Sequence, residues 1–358
     1  MPLPIRRRAA LASSLAAMVS GATARGAPMP AQEAGFPARH VPARLLPVPD
    51  TVSPALQARI AAPYSATWNR IPQSSEAWKA FAAQSSAGVT PHLPKLIEQM
   101  RVRVESATRA GVPVFVVTPD DMPARNRDRV LLHLHGGGYV LFPGEAGAGE
   151  AILLAGYGRF RIISVDYRMP PDFPYPAALD DAIAVWRDLL GATDARKTAI
   201  FGTSAGGGLT LATVLRLRAL GLPLPAAIGP GTPWADLTST GDTIASNAYV
   251  DNVMVSYAGW IGAAARLYAG RADLRDPLIS PIYGDFTGFP PAILTSGTRD
   301  LLLSDTVRAH RKFRRAGVEA ALQVFEGQSH AQYLDPGVPE TQEALTEIAV
   351  FFDSHLAV

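Results

Sequence analysis

Gly202-Thr203-Ser204-Ala205-Gly206 follows an apolar run, Thr198-Ala199-Ile200-Phe201, and precedes a helical pattern that begins at Leu209. A serine hydroxyl is a weak nucleophile at neutral pH and gains reactivity where a base and backbone donors converge on it. A glycine-flanked serine on a sharp strand-to-helix turn, a nucleophile elbow, provides that exposure. Three fixed positions match by accident in about one chain in ten of this length, so the pattern acquires meaning from its companions. His135-Gly136-Gly137-Gly138-Tyr139 closes an earlier strand, and its glycines leave backbone amides open to an oxyanion, with the Ala205 amide directly after the serine.

A general base has to come from one of seven histidines. His40 and His92 lie in N-terminal arm and cap segments, His310 sits in a helical pattern beside Arg311 and Lys312, and His355 is in the terminal tail. Set against these four, only His330 follows a strand end, in Phe325-Glu326-Gly327-Gln328-Ser329-His330. The matching acid is Asp300, which ends the strand before it and so points into a site at the carboxyl edge of the sheet; its role would be to fix the His330 tautomer. Ser304 and Asp305, by contrast, read as helix-start residues that satisfy free amides. His133 and His135 form an H-x-H pair that invites a metal reading, but no further aspartate or histidine follows closely and the chain has no cysteine. No metal is therefore expected. His133 reads as a packed strand residue, and His135, with Gly136, as support for the glycine loop.

The elements that must position these residues alternate from about residue 112 onward, short β-rich runs with longer helical patterns, which indicates an α/β fold with a largely parallel sheet covered on both faces. Strands are expected at Val112–Val117, Val130–Leu134, Arg161–Val165, Thr198–Phe201, Ala226–Gly229, Ala292–Ser296 and Ala321–Phe325. Helices are expected at Ala177–Leu190, Thr306–Ala316 and Glu340–Phe352. Two regions break the alternation. Residues 54–103 carry helical patches with Trp68, Trp78 and Phe81, and residues 236–285 hold Tyr249, Tyr257, Trp260 and Tyr268. Long structured interruptions of this kind usually serve as lids, so both are assigned to a helical cap, leaving 104–235 and 286–358 as the catalytic core and 25–53 as a linker or arm.

Composition narrows the function further. Apolar residues make up 48% and charged residues 18%, values of a folded globular chain. The absence of cysteine excludes disulfides, thiolate metal sites and a cysteine nucleophile together. Residues 1–24 read as a signal peptide of Sec or twin-arginine type: Arg6-Arg7-Arg8 precede an uncharged, mostly small or apolar stretch ending in Ala22-Thr23-Ala24. That reading predicts export to the periplasm or beyond, with a cytoplasmic location if the segment is no signal. The stretch is short and weakly apolar for a membrane span. Its removal takes three arginines from a net charge of +2 and leaves −1, so the charge gives no support for a nucleic-acid partner.

Taken in order, these residues resemble the hormone-sensitive lipase family of α/β-hydrolases from about residue 112 to the C-terminus. Asp166-Tyr167-Arg168-Met169-Pro170-Pro171 with Pro174-Tyr175-Pro176-Ala177-Ala178 and Asp276-Pro277-Leu278-Ile279-Ser280-Pro281 resemble secondary motifs of the family. The resemblance implies an eight-stranded sheet, oxyanion donors at Gly137, Gly138 and Ala205, a serine mechanism through Ser204, Asp300 and His330, and no cofactor. The chain departs from it at Thr203, where many members carry aspartate, and at Ser329-His330-Ala331-Gln332, which lacks an aromatic beside the histidine. The expected activity is hydrolysis of small to medium acyl esters through an acyl-enzyme; lactone, amide or other acyl substrates on the same triad, and a non-catalytic ligand receptor on this fold, are the alternatives. The sequence leaves the oligomeric state open.

Overall fold

The β-rich runs assemble into one eight-stranded sheet in a computed structural model that describes residues 37–357. Its strands are β1 (Val102–Arg109), β2 (Val112–Pro119), β3 (Val130–Leu134), β4 (Arg161–Val165), β5 (Thr198–Thr203), β6 (Ala227–Gly231), β7 (Ala292–Gly297) and β8 (Ala320–Phe325), in the spatial order β1-β2-β4-β3-β5-β6-β7-β8. Pairing is antiparallel from β1 to β2 and from β2 to β4, and parallel elsewhere. The chain from Leu46 onward forms one compact unit, and residues 37–45 carry neither helix nor strand. The export segment 1–24 and residues 25–36 of the arm lie outside the described residues.

Seven strands start within a residue of expectation; β1 was not anticipated. It begins inside the segment assigned to the cap, so the sheet starts two residues before residue 104. β1 is an edge strand whose outward positions are charged or polar, so its apolar signal reduces to Val102 and Val104. A two-residue turn at Ala110-Gly111, both with positive φ, closes it onto β2, as a tight hairpin requires.

Ten helices surround the sheet among the described residues: α1 (Pro54–Ile60), α2 (Ser75–Val89), α3 (Leu93–Met100), α4 (Gly149–Gly158), α5 (Ala177–Leu190), α6 (Ala205–Ala219), α7 (Asp242–Ser246), α8 (Trp260–Ala269), α9 (Leu303–Arg315) and α10 (Pro339–His355). Strand residues alternate between two cores. Leu132, Leu134, Ile163, Ile200 and Ile228 face α5, α6 and α9, whereas Leu131, Ile162, Ala199, Phe201 and Ala227 face α3, α4 and α10. α3 therefore belongs with the sheet rather than the cap: Leu93 and Leu96 pack with α4 residues and Val102. Trp78 and Phe81 of α2 instead share the first core with α8.

α4 carries the chain from β3 to β4 on one face, and α5 returns it past β3 to β5 on the other. The winding reverses between β3 and β5, and the carboxyl ends of such strands open into the crevice where ligands bind in sheets of this kind. The glycine loop leaves β3 and the serine elbow leaves β5 at that point.

Arg129, just before β3, is 2% exposed and anchors the C-terminus. Its guanidinium donates to Asp353 at 2.6 Å and to the carbonyls of Leu356 and Ala357 at 2.8 and 3.1 Å. Truncation strands buried acceptors, so Arg129→Ala is expected to lower unfolding stability by about 2–4 kcal/mol in a urea titration; an unchanged midpoint would refute this anchor.

Candidate active site

The elbow exists because two glycines let backbone meet backbone. A Cβ at Gly202 or Gly206 would overlap the Leu134 carbonyl oxygen at the end of β3. Ser204 takes φ 63° and ψ −122° between β5 and α6, a conformation L-residues adopt only under local constraint. The constraint is visible: its amide donates to Gly231 O at 2.9 Å and its carbonyl accepts from Gly208 and Trp234. α6 starts at Ala205, four residues before the apolar pattern at Leu209. The first turn packs through the hydrogen atoms of Gly206, Gly207 and Gly208 rather than through apolar side chains, so periodicity does not register it.

Three segments far apart in sequence converge on this serine. Ser204 Oγ lies 2.9 Å from His330 Nε2, and His330 Nδ1 lies 3.0 Å from Asp300 Oδ1. Asp300 Oδ2 accepts from the hydroxyls of Ser296, at 2.7 Å, and Thr232, and Oδ1 also accepts from the Leu302 amide at 2.8 Å. All three relay residues are buried. Burial opposes charge on Asp300, but the His330 ring and the two hydroxyls outweigh it and hold its pKa below the ordinary carboxylate value. Burial likewise opposes charge on His330; the charge and hydrogen bond of Asp300, then the charge of Asp251, prevail and raise its pKa. Among the other histidines, His310 bonds the Ala320 carbonyl and His355 pairs with Glu319, neither near the elbow.

Beside the serine, Gly137 and Gly138 have φ of 107° and 62°, and a Cβ on either would strike Leu141 O or the Trp260 ring. The amides of Gly137, Gly138 and Ala205 donate to no protein acceptor among the described residues. Behind the loop, the His135 ring stacks on Tyr167 at 4.1 Å, and its Nδ1–H donates to Gly136 O at 2.7 Å. Burial lowers the His135 pKa to about 4 against the pull of that carbonyl, so the ring stays neutral and braces the loop. His133, inside β3, lies 2.9 Å from Ser164 Oγ and 3.1 Å from Glu150. The two histidines thus have separate partners, and no cluster of three metal-ligating side chains occurs among the described residues.

The structure corrects the reading of Ser304 and Asp305. Neither satisfies the amides of its own helix. Asp305, buried in the first turn of α9, accepts from the Ala235 and Asp236 amides at 3.0 and 2.8 Å, and Ser304 Oγ accepts from Thr243 N. Burial and the nearby Asp236 charge push the Asp305 carboxyl well above its ordinary value. These side chains tether the 236–285 segment to the acid loop.

Sequence reasoning missed the strongest such tether. Asp251 is fully buried; Oδ1 accepts from Val253 N and Met254 N, and Oδ2 from Leu301 N at 2.8 Å and His330 N at 3.2 Å. One carboxylate thus holds the backbone beside Asp300 and the backbone of His330. Asn247 donates to the Asp300 carbonyl at 2.8 Å, and the Asn252 amide donates to Ser329 Oγ at 3.1 Å. The only sequence signal was an Asp-Asn pair between Tyr249-Val250 and Val253-Met254, and such pairs mark turns of many kinds. Thr203, the departure noted above, donates to Glu150 at 2.7 Å and lies 2.5 Å from the Tyr333 hydroxyl, fastening the elbow to α4 and to the histidine loop.

A sequence profile described as alpha/beta hydrolase fold matches residues 131–334, from the glycine loop through the histidine loop. The crystal structure of an esterase from the bacterial hormone-sensitive lipase family superposes with a TM-score of 0.70 at 29% identity, over 85% of this chain and 99% of that one. The chain belongs to the hormone-sensitive lipase family of α/β-hydrolases. Esterase E25 is more similar, with 42% identity and a TM-score of 0.86 over 89% of this hydrolase and 99% of that chain. A putative acetyl-hydrolase, LipR, of Mycobacterium tuberculosis is 33% identical over 71% of the hydrolase and 81% of its own length. An acetyl-hydrolase of Streptomyces hygroscopicus is 34% identical over 64% and 77%.

Asp251→Asn keeps the side-chain shape but turns an NH2 group toward amide donors and removes a charge that raises the His330 pKa. The His330 ring is expected to titrate at lower pH in the variant by NMR, and turnover to fall by about 10²-fold as the two loops lose register. A His330 titration that stays in place or moves upward would contradict this role.

Proposed function

We propose that the protein is a serine carboxylic-ester hydrolase that works through an acyl-enzyme on small to medium acyl esters. The observation that carries the reading is the continuous relay Ser204–His330–Asp300, with bonds of 2.9 and 3.0 Å, beside three undirected amides. His330 Nε2 takes the Ser204 proton as Oγ bonds to the ester carbonyl carbon. The carbonyl oxygen becomes an oxyanion that accepts from Gly137, Gly138 and Ala205. Collapse breaks the ester C–O bond, and the leaving alkoxide receives the proton from His330. His330 then deprotonates water, which attacks the acyl carbon, and the proton returns to Ser204 as the acid departs. Asp300 stays ionised throughout and stabilises the imidazolium. The names of the relatives, esterases and acetyl-hydrolases, favour esters over lactones and amides.

That cavity, about 540 Å³, opens over Ser204. Phe81 and Val89 of α2, Met254, and Trp260 and Ile261 at the start of α8 form its walls. The cap segments meet directly there: the Phe81 and Trp260 rings stand edge to face at 5.9 Å, and the Trp260 amide donates to Trp68 O. The volume lies within the ordinary range for small-molecule sites. The 1–24 segment supports export, which mass spectrometry of the mature N-terminus tests: a chain still starting at Met1 would exclude cleavage.

Ser204→Ala is expected to lower turnover of p-nitrophenyl butyrate by roughly 10⁶ and to abolish stoichiometric fluorophosphonate labelling. Retention of most activity would sink the assignment, and faster turnover of a lactone or an anilide in a substrate panel would move it to those acyl groups. Because the base must be neutral and its pKa is raised, kcat/KM is expected to decline on the acid side with an apparent pKa above the ordinary histidine value of about 6.5.

A further inference from the structure

The catalytic cavity has a neighbour. A second cavity of about 700 Å³ lies between α3, α4 and the turn after the histidine loop, floored by Leu93, Leu96 and Leu153. Both cavities are lined by Gly88, Val89, Phe142, Ala146, Gly149, Glu150 and Leu334. The boundary between them is thus shared, and three of these seven residues are glycine or alanine.

Two of these small residues are unexplained by folding. Gly88 lies inside α2, where glycine is less favourable than alanine, and Gly149 opens α4. Neither has a positive φ, and a Cβ placed on either meets nothing within 4 Å. This distinguishes them from Gly137, Gly202 and Gly206, where a Cβ would collide with backbone. No close packing and no special backbone conformation calls for glycine at 88 or 149. What their missing side chains leave is room along the boundary. The one acidic group on that boundary, Glu150, is turned to His133 Nε2 and Thr203 Oγ1, so its carboxylate is already satisfied; the surface of the second cavity is largely apolar, with Arg59, His92, Lys95, Gln99 and Asp335 also lining it away from the boundary.

We propose that the second cavity is a subsite for an unbranched alkyl arm of the substrate, reached from Ser204 through the corridor that Gly88 and Gly149 keep open. The proposal rests on the ester-hydrolase reading and extends its substrate class to esters with an arm too long for the catalytic cavity alone. A flexible methylene chain fits the chemistry of the corridor: it needs no hydrogen-bond partner, can bend past Phe142 and Leu334, and gains affinity with each methylene that leaves water, about fourfold apiece. A rigid or polar group would have to pass the shared boundary, where Glu150 is the one polar side chain and is already bonded.

The test places side chains in the corridor. Gly88→Leu lies in a helix that favours leucine over glycine, and Gly149→Leu approaches from the opposite wall. Relative kcat/KM is measured for p-nitrophenyl butyrate and p-nitrophenyl dodecanoate, which lengthen the acyl arm, and for butyl and dodecyl butyrate, which lengthen the alcohol arm. Each leucine variant is expected to lower the long-to-short ratio by about tenfold or more in one series, which identifies the arm, with Gly88→Ala intermediate. Ratios equal to those of the unsubstituted protein in both series would overturn the proposal. Binding of dodecanoate by calorimetry keeps it separate from the chemistry. If neither short ester is hydrolysed, the ester-hydrolase reading fails, and the subsite stands or falls on whether Gly88→Leu weakens dodecanoate binding by tenfold or leaves it unchanged.

Discussion

The contact on which this active site depends is between backbones. The Leu134 carbonyl at the end of β3 sits where Cβ atoms of Gly202 and Gly206 would be. This approach brings the end of β3 against the turn that carries Ser204, and therefore sets the glycine loop beside the nucleophile. Neither the strained φ of Ser204 nor the open amides of Gly137 and Gly138 has catalytic meaning without that proximity, because an oxyanion has to be reached from both sides at once. The sheet order makes the meeting possible, since β3 and β5 are neighbours at the reversal of winding. The glycines make it close.

Acid and base are positioned by another means. Their loops follow β7 and β8, and buried carboxylates fasten them to the 236–285 segment: Asp251 to the amides of Leu301 and His330, Asp305 to those of Ala235 and Asp236. A buried carboxylate is unfavourable unless donors surround it, and backbone amides are donors whose positions are fixed by the fold. Each carboxylate therefore acts as a geometric gauge, satisfied only when both segments are in place. Asp251 also acts on the charge of the site, since its charge adds to that of Asp300 at the His330 ring.

What the sequence made legible follows from how local each signal is. Central strands read clearly because every residue of β3, and all but one of β4, is buried, giving runs of apolar residues. The edge strand β1 did not, because an edge needs only a few inward residues and its hairpin turn lacks an Asn-Gly or Asp-Gly pair. Ser204, Asp300 and His330 could be ordered because each stands just after a strand, where the fold allows few alternatives. Asp251 could not be singled out, since its partners are backbone amides 50 and 79 residues away and every residue type but proline would serve as donor at those positions. Asp305 was misread for a related reason: a carboxylate in the first turn of a helix ordinarily serves that helix, and only the fold shows another segment closer.

The two halves of the cap touch the pocket on unequal terms. The 236–285 segment roofs the cavity and, through Asn247, Asp251 and Asn252, also holds the acid and histidine loops. α2 lines the same cavity through Phe81, Gly88 and Val89, and its side-chain hydrogen bonds go to neither loop. Sequence change in the first half disturbs the proton relay whenever it reshapes the pocket; change in α2 reshapes the pocket alone. New substrate ranges are accordingly cheapest to evolve along one face of a single N-terminal helix, and a library confined to that face keeps its members chemically competent.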